Sequence, residues 1–166
     1  MSSANFEYLR ESAPVLAELG AFAEQYLKSD PDSALTKLRG FCEASVKLLY
    51  QHQGWSVPER FTLDQLIRES EFTGAYPKSV LLKLDYLRVH GNKGAHNARA
   101  SSADALAVLR EAHRIGQFLY LEVLSGEETP QDNALLSRCI VIPLVKNRDK
   151  SKTLDMYRDI EDLRTR

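Results

Sequence analysis

Apolar residues recur three and four apart through most stretches from Pro14 to Val123, a rhythm that commits the chain to packed helices. Val15, Leu16, Leu19, Phe22, Ala23, Tyr26 and Leu27 mark a first helix. Ser12 is placed to cap it, and Pro14 suits its first turn, where no amide hydrogen is needed. Asp30-Pro31-Asp32-Ser33 breaks the chain and opens a second helix with a stripe of Ala34, Leu35, Leu38, Phe41, Cys42, Ser45 and Leu49. A polar connection from Gln51 to Pro58 holds the single tryptophan, Trp55. Thr62 and Gln65 have the spacing of a capping box, opening a short helix through Leu66 and Ile67. After the break at Thr73 to Pro77, Val80, Leu81, Leu84 and Leu87 define a helix that ends near His90. Gly91 is expected there as its left-handed stop. Ser101 or Ser102 caps a long helix carrying Leu106, Leu109, Ala112, Ile115, Gly116, Leu119, Tyr120 and Val123, which Ser125-Gly126 ends.

Residues 1–126 are therefore read as one all-α bundle, and residues 127–166 as a C-terminal arm or the opening of a further domain. Cys139 to Val145 has the pattern of a short strand or extended arm, which Pro143 restricts to an edge. Such an apolar edge is expected to pair with something. Lys146 to Lys152 forms a basic, polar turn, and Thr153 caps a terminal helix with Leu154, Tyr157, Ile160 and Leu163 on one side.

Composition narrows the function classes. Lys and Arg number 22 against 23 Asp and Glu, a formal net charge of -1, which argues against attachment to nucleic acid by bulk charge and leaves only a local basic patch. The 43% hydrophobic content suffices for a core without disulfides or metal, and two cysteines make no disulfide framework. The start has no signal-peptide pattern, and no segment is apolar for long enough to span a bilayer. A cytoplasmic protein without cofactor, metal or membrane contact is expected. Walker loops, dinucleotide fingerprints, zinc-ligand pairs and nucleophile elbows are missing from the sequence. Gly91-Asn92-Lys93-Gly94 matches the GxxG loop of KH domains, but that loop needs neighbouring strands, and this region reads as helices.

The richest polar cluster is Arg88, His90, Asn92, Lys93 and His96, around one helix end and the loop after it. Structurally, Arg88 and His90 suit the negative end of a helix dipole. Functionally, His96 would serve as general acid or base while Arg88 stabilises charge on a phosphate. Arg39 and Glu43, four apart on the second helix, are a second pair: a surface ion pair, or groups that orient the loop cluster.

The order Asn5-Phe6, Tyr8-Leu9, Leu16 to Leu19, Ala23-Glu24 and Tyr26, then Asp30-Pro31, Ala34-Leu35, Lys37-Leu38-Arg39, Phe41 and Glu43, then Leu87-Arg88, Gly91-Asn92 and Ala95-His96, resembles a known pattern. It is that of the helical domain preceding the nuclease and helicase parts of type I restriction R subunits, grouped with the HEPN superfamily of prokaryotic antiviral defence. The resemblance implies an accessory module of a DNA-processing restriction–modification machine, working through a homodimer, a larger assembly, or engagement of DNA or RNA. It also implies an alternative, because many HEPN members are metal-independent endoribonucleases that bring an Arg and a His from each chain into a shared cleft. There, an RNA 2′-hydroxyl attacks its own phosphorus with help from His96, Arg88 stabilises the phosphorane, and a cyclic phosphate results. The usual signature is tighter than the one here, where seven residues separate Arg88 from His96 and Val89 follows the Arg. The accessory reading is therefore preferred.

Overall fold

The computed structural model describes residues 1–92 and 99–124. Among them there is no strand: a 3₁₀ turn at Glu7–Leu9 precedes α1 (Pro14–Tyr26), α2 (Pro31–Gln53), α3 (Leu63–Arg68), α4 (Ser70–Ala75), α5 (Lys78–Gly91) and α6 (Ser102–Phe118), which continues as a π turn at Leu119–Val123. The all-α expectation holds. His96 and Lys93 lie outside the described residues, as do the Ser125-Gly126 stop and the whole expected arm and terminal helix.

Helix α2 is the axis, packed against α1, α5 and α6. Its expected stripe is buried at every position from Ala34 to Leu49, and Phe6, Leu9, Leu84, Leu87, Leu109 and Ile115 close the core around it. The start of α2 follows local chemistry: Pro31 fills the first turn and the Asp30 carboxylate accepts from the Ser33 amide at 3.2 Å. The expected Thr62–Gln65 capping box forms on α3, and Ser101, one of the two expected caps, forms a further box with Asp104 on α6. At the end of α2, Gly54 takes φ 76°, the Gly54 amide donates to Gln51 and the Trp55 amide to Tyr50. This left-handed reversal folds Trp55 back onto the helix.

Four expectations are corrected. Ser12 does not cap α1; Ala13 occupies the cap position without a side-chain hydrogen bond. Val15 is 62% exposed, because α1 buries Leu16, Ala17, Gly20 and Ala23, a face rotated by about one residue. The break expected from Thr73 to Pro77 starts later, because Thr73, Gly74 and Ala75 belong to α4, which buries Phe72. Gly91 remains helical, and its reason is proximity: a Cβ there would stand 2.8 Å from the Arg39 Cβ and 3.2 Å from the Leu35 carbonyl oxygen. Glycine at this point lets α5 approach α2 closely.

Buried polar groups tie the N-terminal segment to the bundle and cross its core. The Glu24 carboxylate on α1 accepts from the Ser3 hydroxyl, the Ala4 amide at 3.1 Å, the Asn5 amide at 3.0 Å and the Asn5 side-chain amide at 3.1 Å. Burial raises its pKa to about 7, although these donors oppose the shift. His113 on α6 is fully buried edge-on between Phe6 and Tyr8, and desolvation lowers its pKa to about 3. Lys83 of α5 lies 3.3 Å from Glu111 of α6 with both side chains buried, an ion pair across the core.

Candidate functional site

The C-terminal end of α5 meets the N-terminal half of α2 and the start of α6, and there the expected site residues can be placed. The Arg39 guanidinium on α2 donates to the Asn92 side-chain oxygen just past α5. Asp32, near the start of α2, accepts from the Ala100 amide at 3.1 Å and so ties α2 to the approach of α6. These two bonds hold the helix ends on either side of residues 93–98.

Arg88 points another way. Its Nε and Nη2 donate to one oxygen of Asp85, one turn earlier, at 3.0 and 2.8 Å, and Nη2 lies 3.3 Å from an Asp64 oxygen on α3. Two carboxylates thus neutralise the guanidinium and pull it toward α3. His90 lies on a different side of α5: its ring packs on Tyr86 at 4.0 Å between centroids and borders a small recess with Leu35, Asp104 and Val108, facing α6. Glu43, expected beside Arg39, pairs with Lys47 at 3.0 Å on the exposed face of α2.

The cluster read from the sequence as one patch is therefore spread around the helix end. Arg39 and Asn92 meet, whereas Arg88 and His90 diverge toward α3 and α6. Arg39, Glu43, Asp85 and Arg88 still share an electrostatic neighbourhood, since the fields of all four reach the buried Cys42 thiol between α2 and α5. Burial pushes that thiol up to about 12, so it is no nucleophile. Among the described residues, no group of three or more His, Cys, Asp or Glu side chains comes together to hold a metal ion.

Sequence reasoning passed over Asp85 and Asp64, which set the orientation of Arg88. Asp85 stands three residues before it, a spacing at which helical side chains meet, so this partner was legible. Asp64 comes from another helix and carried no such signal. Lys83 was also visible in principle, three residues after Val80 and four before Leu87, inside the apolar stripe.

Among characterised proteins the chain is similar to the type I restriction enzyme EcoKI endonuclease subunit of Escherichia coli (strain K12), with 27% identity over 132 residues. The match covers 78% of this chain and 11% of the length of that subunit. It supports a restriction-enzyme-related domain. No family model matches the chain, and no solved structure does. Among the described residues, no helix is long and apolar enough to cross a membrane.

Proposed function

We propose that this chain is a defence-associated helical accessory module, of the kind that precedes the motor parts of type I restriction subunits and is grouped with HEPN domains. It works by assembling with itself, with other subunits or with nucleic acid. The observation that carries this reading is the fate of the polar cluster. Arg88 is engaged by two carboxylates of its own chain and Arg39 by Asn92, while His90 faces away from Arg88. A catalytic phosphate site needs uncommitted cationic donors aimed at one point. Here Arg88 is committed to carboxylates of α5 and α3 and Arg39 to the end of α5, which suits a rigid binding scaffold.

Sedimentation over a range of concentrations, repeated with labelled RNA and DNA, tests the reading. It expects self-association, a nucleic-acid complex, or a complex with restriction subunits added to the same runs; an inert monomer that binds none of these contradicts it. The alternative, a metal-independent endoribonuclease acting as a dimer, draws on one observation: Arg39 and Arg88 both flank the helix end that leads toward His96. In that case Arg88 must leave Asp85 and Asp64 to meet a phosphate.

A further inference from the structure

Away from the polar cluster, where α2 ends and α3 passes into α4, lies a cleft of about 420 Å³ with Tyr50, Trp55 and Phe61 among its walls and, among the described residues, Glu69 and Glu71 as its charged lining. Its shape follows from the left-handed turn at Gly54, which sets Trp55 edge-on to Tyr50 with ring centroids 5.6 Å apart. Tyr50 is fixed in turn, donating its hydroxyl to the Leu66 carbonyl at 2.6 Å and stacking on Phe72 at 5.2 Å. Tyr50 and Trp55 are thus held by packing before any ligand arrives. Phe61 is 42% exposed at the rim, a large apolar side chain without full cover.

The two carboxylates are unspent. Among the described residues neither Glu69 nor Glu71 joins an ion pair, in contrast to Glu7, Glu18, Glu43, Asp64 and Asp85. Both line the cleft, and their negative charge adds to burial in raising the Tyr50 phenol above its ordinary pKa.

We infer that this cleft binds a guanidinium group, presented as an arginine side chain of a partner polypeptide. Aromatic faces attract a cation through their quadrupoles, and a weakly hydrated planar guanidinium stacks on them at less desolvation cost than an ammonium. Carboxylates beside the rings accept its N–H groups, which gives the pocket a charge preference that rings alone lack. The cleft is also of a size suited to a side chain or small ligand. This inference is independent of whether the chain cleaves RNA.

Trp55 is the only tryptophan in the chain, so its fluorescence reports on the cleft directly. The full chain is titrated with Nα-acetyl-arginine amide, with the neutral isostere Nα-acetyl-citrulline amide, and with a short peptide carrying one arginine between glycines and serines. The inference expects a saturable change with both arginine probes, tighter for the peptide, and at least about tenfold weaker binding of citrulline, the size expected of a charge-assisted contact. A Glu69→Gln/Glu71→Gln variant, altered only at exposed positions, is expected to keep its unfolding midpoint and lose at least about tenfold in arginine affinity. No saturable response, equal response to citrulline, or unchanged affinity in a variant shown to be folded each overturns it.

Discussion

The α5 end and the aromatic cleft are both rich in charge, yet they use it in opposite ways. At the α5 end Arg88 is paired with Asp85 on its own helix and with Asp64 on α3, and Arg39 of α2 is held by the neutral Asn92 side chain. In the cleft Tyr50 is anchored by hydrogen bonding and stacking and Trp55 packs edge-on against it, while two carboxylates remain without ionic partners among the described residues. Charge density therefore does not mark a binding site by itself. Unspent charge on a rigid wall is the better indicator, because binding then breaks no internal pair.

Substitutions that separate stability from binding sharpen this contrast. The largest loss is expected at the core junction behind the α5 end: Lys83→Met leaves Glu111 buried without its cation, at about 3–5 kcal/mol, read by urea unfolding. Replacing both residues with apolar ones of similar volume should recover most of that loss, and failure to recover would give the pair a further role. Gly91→Ala comes next. Alanine favours a helix by about 1 kcal/mol over glycine, but its Cβ would collide with the Arg39 Cβ at 2.8 Å, so a net loss of about 1–2 kcal/mol is expected. A stabilised variant would show that α2 and α5 yield easily and that the α5 end is not rigid.

Arg88→Ala is expected to cost about 1 kcal/mol or less, because its side chain is 19% exposed and both partner carboxylates are 41% exposed. Its effect should shrink as salt rises. Between about pH 4.5 and 7 the pH dependence of unfolding is expected to be dominated by two buried groups outside both regions. His113 is held neutral in the fold, so its stabilising contribution is present above about 6.5 and is lost as pH falls toward 3. Glu24, whose folded pKa is raised, contributes stability below about 4.5 that is lost as pH rises toward 7. The two slopes oppose each other between 4.5 and 6.5, giving a plateau with declines on either side. His113→Gln should weaken the acid limb, whereas Arg88→Ala should lower the curve and change its shape only at low pH, where its charge helps hold Asp64 ionised.

The helices were legible because their signals are local. The stripe from Ala34 to Leu49 and both capping boxes depend on residues a few positions apart. Gly91 was recognised as a necessary glycine but for the wrong reason, since crowding by Arg39 and Leu35 comes from a helix more than fifty residues earlier. Val15 shows the limit of periodicity: a one-residue rotation preserves the spacing and exposes a different side chain. The candidate site was read as a patch because Arg88, His90 and Asn92 are close in sequence. On a helix, residues two apart project in divergent directions, and packing against α3 and α6 fixes that divergence. The aromatic cleft went unread because Tyr50, Trp55, Phe61 and Glu69 share no single period; the turn at Gly54 and the α3–α4 corner bring them together.

The most direct test of the central claim, that the charges around Arg88 are structural, is cleavage of a mixed set of RNAs in the presence of a metal chelator. The purified chain is compared with its His96→Ala and Arg88→Ala variants. The account predicts no cleavage above background by any of the three, with Arg88→Ala differing only in its unfolding midpoint. Cleavage by the unmodified chain that yields cyclic-phosphate ends and disappears in both variants would contradict it.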